Sequence, residues 1–164
     1  METTGQEQGK QAEGVTQAVC FKLAHEEYGL DIRYVQEVVR LSDITPVPQM
    51  PDCCRGVINI RSNVVALFDL RTVLKLPEKP FDDKMKVIVA IHEEKIVGFL
   101  VDEMLDNIKL SATDIEPGPA VKMNIDKECI IGLAKLAGRM VVLIDVPKIY
   151  AGLERASSTE RIQS

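Results

Sequence analysis

Residues 56–69 read Gly-Val-Ile-Asn-Ile-Arg-Ser-Asn-Val-Val-Ala-Leu-Phe-Asp, and residues 132–145 read Gly-Leu-Ala-Lys-Leu-Ala-Gly-Arg-Met-Val-Val-Leu-Ile-Asp. The two stretches align without a gap at an offset of 76 residues. Gly56 falls on Gly132, Leu67 on Leu143, Asp69 on Asp145 and, further on, Val73 on Ile149. Each has an apolar run, a short polar break, a second apolar run and then an Asp. Two β-branched runs around a polar break predict a β-hairpin. The turns are placed at Arg61-Ser62-Asn63 and Ala137-Gly138-Arg139. The closing Asp has a physical role there, since a carboxylate at a helix start accepts hydrogen bonds from unpaired backbone N–H groups. Helix capping is therefore the preferred reading of Asp69 and Asp145, with Pro147 tolerated in the first turn because its missing N–H costs little there.

A second hairpin type lies outside these. Val19, Phe21 and Leu23 alternate with polar neighbours, His25-Glu26-Glu27 supplies a turn, and residues 28–32 return. Residues 87–91, a turn at 92–95 and residues 96–101 repeat the arrangement. Together the two hairpin types predict a duplicated unit of about 70–75 residues. The Pro-rich stretch within residues 76–84 marks its seam. Two hairpins are too few to bury a core as an open sheet, and closing into a barrel removes exposed edges. The expected fold is all-β with short helices, as two small barrels packed together over residues 16–154. The polar stretches 1–15 and 155–164 are expected to be disordered tails.

Composition supports a globular β protein: 164 residues, 46% apolar and 27% charged, with 4% aromatic and no Trp. The core must rest on Val, Ile and Leu. A net charge of −5, without clustered Lys and Arg, argues against a nucleic-acid surface. No run approaches the roughly 18–20 apolar residues of a membrane span, and residues 1–15 have no signal-peptide character, so the expected location is cytoplasmic.

A search for chemistry returns little. Phosphate-loop, dinucleotide and nucleophile-elbow patterns are absent. His25 and His92 both fall in predicted turns beside two Glu and read as solvated. Asp102 and Asp106 would share a face if helical and could hold a divalent ion, but their flanks read as strand ends around a bend. Cys20, Cys53, Cys54 and Cys129 lack zinc-ligand spacing and read as small apolar residues. A redox or enzymatic use of Cys53 and Cys54 is the competing class. No cofactor, no metal and no catalytic residue is expected.

These segments resemble the CheW family of chemotaxis coupling proteins. Tyr28-Gly-Leu-Asp-Ile32 followed by Val35-Gln-Glu-Val38 is similar to its first strand pair and a short following helix. The Pro-punctuated residues 44–51, the Gly56–Arg71 motif and the hairpin within 131–145 follow in order, covering about residues 17–153. The resemblance implies two intertwined five-stranded SH3-like barrels and no enzymatic activity. It implies an adaptor joining the cytoplasmic tips of methyl-accepting chemoreceptors to the regulatory domain of the histidine kinase CheA. The same adaptor fold in a non-chemotactic receptor–kinase system, for surface motility or gene control, is the alternative. With no kinase or receiver segment beside it, a stand-alone adaptor is expected rather than a CheA regulatory domain or a CheV-like fusion. By position, the receptor contacts would be Val35, Glu37 and Arg61, supported by Gly56 and Asn59, while the kinase contacts stay unassigned. Where the family commonly has Gly after the motif's Arg, this chain has Ser62 and Asn63. Ser adopts positive φ poorly, so the turn is expected to shift by one residue.

Overall fold

The computed structural model describes residues 15–117 and 129–163, with side chains up to Arg155. Residues 1–14, 118–128 and 164 lie outside the described residues. Val15, assigned above to the tail, is buried at 2% exposure.

The chain runs β1 (Gln17–Leu23), β2 (Glu26–Asp31), a 3-10 turn (Ile32–Tyr34), β3 (Val35–Arg40), β4 (Cys54–Ile60), β5 (Asn63–Asp69) and α1 (Leu70–Val73). It continues with β6 (Lys86–His92), β7 (Lys95–Val101), β8 (Glu103–Lys109), a second 3-10 turn (Ala112–Asp114) and β9 (Ile115–Pro117). The last described elements are β10 (Ile130–Leu136), β11 (Arg139–Ile144) and α2 (Val146–Gln163).

Two sheets result, ordered β8-β1-β2-β11-β10-β9 and β3-β6-β7-β5-β4. We call them the terminal and the central barrel. β8 and β9 follow one another across a single 3-10 turn yet lie at opposite edges, so the chain itself closes the terminal barrel. In the central barrel, Thr45 in the connection after β3 pairs with Val57 of β4 through two 2.9 Å backbone hydrogen bonds. The expected duplication is present, but neither half closes on itself. The β1–β2 hairpin of the first half lies beside β10–β11 of the second through the parallel pair β2–β11. β6–β7 of the second half lies beside β4–β5 of the first through the parallel pair β5–β7. The barrels are interlocked, as the resemblance implied.

Alternation along each strand then builds three cores. Ala18, Cys20, Val141 and Leu143 fill the terminal barrel. Ile58, Leu67, Val87 and Val89 fill the central one. Phe21, Tyr28, Phe68, Ile88, Phe99 and Val142 point the other way, into the shared layer between the barrels. β1, β2, β6, β7 and β11 each bury four consecutive residues and so both faces, which explains their near-continuous apolar runs in the sequence.

The hairpin turns are tighter than predicted. β4 and β5 join through Arg61 and Ser62 alone, with φ of 51° and 72°, and Ile60 pairs with Asn63. The turn has not shifted by a residue. A two-residue turn with both φ positive matches the right-handed twist of its strands, and that match holds Ser62 in the left-handed region. Ser62 lies at the position of Gly138, whose φ is 74°. Ser62→Gly is therefore expected to raise stability by about 0.5–1 kcal/mol, read as a higher urea midpoint at unchanged slope. The other hairpins turn at Ala24-His25 and Glu93-Glu94. His92 pairs with Lys95 as the last rung. It is not a solvated turn residue: its ring meets the Tyr34 and Tyr150 rings edge-on at 5.6 and 5.3 Å.

Both aspartates cap as expected. Asp69 Oδ1 accepts from Arg71 N–H at 3.0 Å and Asp145 Oδ1 from Lys148 N–H at 3.1 Å. α2 packs Val146, Ile149, Tyr150 and Leu153 into the shared core. It then continues to Gln163, so residues 155–163 are helical rather than a disordered tail. The packed first turns supply the costly nucleus, and residues 155–163 contain no Gly or Pro to stop its propagation.

Candidate functional site

Glu37 and Arg61 lie 24 residues apart in sequence and meet at the open end of the central barrel. Arg61 Nε donates to Glu37 Oε2 at 3.1 Å and Oε1 at 3.3 Å, and Nη2 donates to Oε1 at 3.0 Å. The fork-shaped guanidinium matches the planar carboxylate in two places, which fixes its direction. The Arg61 side chain is nonetheless 77% exposed, against 20% for Glu37. A charge oriented in this way with most of its surface in water can meet a partner's polar groups.

Val35 does not join them. It lies on β3, a strand where a short helix was expected, because the chain enters sheet pairing with β6 directly after the 3-10 turn. Asp31 caps that turn through Arg33 N–H at 3.0 Å. A bulge at Gln36 then shifts the register, so that Val35 faces Ala90 while Glu37 faces Val89. Ala90 belongs to the shared core and Val89 to the barrel interior. Directly paired residues share a face, so the bulge sends Val35 and Glu37 to opposite sides of β3.

Val38, opposite Ile88, falls on the Val35 side. It is 39% exposed, and Val64, the second residue after the turn, is 71% exposed. Val64 pairs with Asn59, which is also exposed. Val64 points away from the barrel interior, because its neighbour Val65 fills that interior. The sequence reading missed Val38 and Val64. The signal was available for Val64, since strict alternation from buried Leu67 and Val65 leaves Val64 on the outward face.

Gly56 stands apart from the charged pair and shapes the strand. Its φ is 133°, and a Cβ there would lie 2.4 Å from the Thr45 carbonyl oxygen. Gly132 makes the same approach to the Glu116 carbonyl oxygen. In both barrels the closing connection passes where only a hydrogen fits.

The other candidates settle into structure. Burial pushes the Cys53 thiol up to about 11, and the Cys54 Sγ donates to the Gly56 carbonyl at 3.4 Å. A thiol of that kind is not poised as a nucleophile. Asp102 is buried against Arg71, and Asp106 pairs with Arg139. Among the described residues no cluster of three or more metal-ligating side chains occurs, and no helix is long and apolar enough to cross a membrane.

The family model for the CheW-like domain matches residues 17–154. The chain belongs to the CheW-like family. The chemotaxis protein CheW of Klebsiella aerogenes is 34% identical over 138 residues, covering 84% of this chain and 83% of that one. The CheW of Thermotoga maritima is 31% identical over 135 residues, 81% of this chain and 86% of its own. The crystal structure of the scaffolding protein TtCheW from Thermoanaerobacter tengcongensis superposes with a TM-score of 0.73 at 32% identity, over 79% of this chain and 88% of that one. As a CheW-like domain the chain is a non-enzymatic scaffold with the family's two-barrel β fold.

Proposed function

We propose that this chain is a cytoplasmic chemotaxis adaptor that couples the tips of methyl-accepting chemoreceptors to the regulatory domain of the histidine kinase CheA. The observation carrying this reading is the Arg61–Glu37 pair, oriented bidentately yet open to solvent, with exposed Val64 on the same hairpin as Arg61, in a chain of the CheW-like family. The receptor tip that the family resemblance implies is helical. Its helix would lay an apolar residue against Val64 and bring a polar group to Arg61, the helix-in-groove mode of recognition. Asn59, paired with Val64, would line the same surface, while Val35, packed against the shared core, would act by holding β3 in place. Modest single contacts gain strength by avidity when many copies are recruited to a receptor array.

Arg61→Glu places a second carboxylate beside Glu37 and removes the presented cation. Receptor co-sedimentation is expected to fall at least tenfold, about 1.4 kcal/mol. The position is exposed, so the substitution leaves the core intact, and circular dichroism verifies that the variant is folded. Unchanged co-sedimentation by a folded variant would remove Arg61 from the interface.

A further inference from the structure

Arg40 ends β3 and stands directly opposite Lys86, the first residue of β6. Directly opposed strand residues share a face with Cβ atoms about 5 Å apart, and like charges placed there are destabilising. Neither cation is neutralised. Among the described residues the Arg40 side chain makes no hydrogen bond or ion pair, and Lys86 Nζ reaches only the Lys84 carbonyl, at 3.4 Å. The nearby carboxylates do not relieve them. Asp82 pairs with Lys79 at 3.0 Å and accepts from the Lys84 and Met85 N–H groups. Glu103 stands opposite Lys22 on β1, and exposed Asp83 makes no ion pair.

Two adjoining hollows open at this cation pair. One, of about 480 Å³, has Arg40, Leu41 and Lys86 in its lining; the other, of about 450 Å³, continues from Lys84 and Lys86 to Met104. Lys86 and Asp83 border both. Together they form a trough from β3 of the central barrel to β8 of the terminal barrel. Alternation after the Gln36 bulge puts Arg40 on the Val38 side of β3, turned away from Glu37 and its partner Arg61. The trough is therefore separate from the receptor contact proposed above.

We propose that this trough is a second docking surface, and that its occupant is an acidic amphipathic helix of a partner protein. Carboxylates at positions i and i+4 of a helix lie about 5–6 Å apart, which matches the spacing of the opposed cations. Apolar residues on the same helix face would meet Leu41 and Met104, as in other helix-in-groove contacts. The unpaired Arg40–Lys86 contact lowers the stability of the free chain and is relieved when carboxylates arrive, the pattern of a site kept for binding rather than for stability. The inference goes beyond the receptor-binding reading and uses no receptor in its test, so its failure leaves that reading standing.

The test titrates the full chain into three fluorescein-labelled 18-residue helical peptides, read by anisotropy. Each has Leu along one face, flanked by Glu, Gln or Lys. The Glu peptide is expected to bind at least tenfold more tightly than the Gln peptide, and the Lys peptide more weakly still. Arg40→Glu and Lys86→Glu are each expected to weaken the Glu peptide at least tenfold, and the double variant to prefer the Lys peptide. Lys148→Glu makes the same charge change at an exposed position on α2 and is expected to leave the affinity within twofold. Lys86→Glu should also raise the urea midpoint, because it replaces a like-charge contact by an Arg40–Glu pair; unfolding then cannot explain its loss of binding. Equal affinity for the Glu and Gln peptides, retained affinity in both folded reversal variants, an equal loss in Lys148→Glu, or a lowered urea midpoint for Lys86→Glu overturns the proposal.

Discussion

Arg71→Ala is expected to destabilise the protein by about 3–5 kcal/mol, the cost of stranding one member of a buried ion pair. Arg71 Nε and Nη2 donate to Asp102 Oδ1 and Oδ2 at 2.8 and 2.6 Å, and Nη1 donates to the Pro77 carbonyl at 2.7 Å. Asp102 Oδ2 also accepts from Ala24 N–H at 2.8 Å. Its own N–H donates to the Lys22 carbonyl. The pair therefore ties α1 of the central barrel to the β1–β2 turn of the terminal barrel. Their side chains are 10% and 8% exposed, so water cannot replace the missing partner. Chemical denaturation in urea checks the magnitude. Arg71→Met combined with Asp102→Leu is expected to recover part of the loss, because it leaves no unpaired charge.

The same pair sets an acid limit. Burial alone would raise the Asp102 pKa, but the hydrogen bonds from Arg71 and Ala24 and the guanidinium's charge outweigh it and hold the carboxyl below its ordinary range. For a carboxyl held low in the folded state, the stabilisation is complete above the unfolded pKa, about 4. It is lost as pH falls through the folded value. Stability should therefore be flat near neutrality in this respect and decline below about pH 4, and Asp102→Asn should flatten that decline.

Gly56→Ala is expected to cost upward of about 3 kcal/mol, combining a strained φ with a backbone collision. The Cβ would sit 2.4 Å from the Thr45 oxygen and 2.9 Å from Ile44 Cγ2. Neither contact can relax cheaply, because Thr45 holds the Val57 bridge that closes the central barrel. A thermal melt with Gly138→Ala as reference separates the causes. Gly138 shares a positive φ but has no atom within 4 Å of its would-be Cβ, so it carries the conformational cost alone. Equal losses in the two variants would contradict the clash.

The resemblance stated in the sequence analysis and the family match agree on the two-barrel scaffold. Residue-level reading went less far. Glu37 and Arg61 were singled out together by resemblance, and the structure brings them into contact. Val35 was grouped with them, yet the extra residue at Gln36 turns it to the other face. Periodicity cannot reveal such a bulge, because one inserted residue inverts the parity of everything that follows.

By itself the sequence determined what short-range chemistry controls. Apolar runs and polar breaks marked the hairpins, Asp69 and Asp145 marked the helix starts, and the 76-residue alignment marked the duplication. Tertiary structure alone decided which hairpin lies beside which, the tie between Arg71 and Asp102, and the direct opposition of Arg40 and Lys86. Turns and caps are settled by a few neighbouring dihedrals and hydrogen bonds. The exchange of hairpins between halves is instead settled by burial of the shared core, to which residues from Phe21 to Leu153 contribute, and no local pattern encodes that sum.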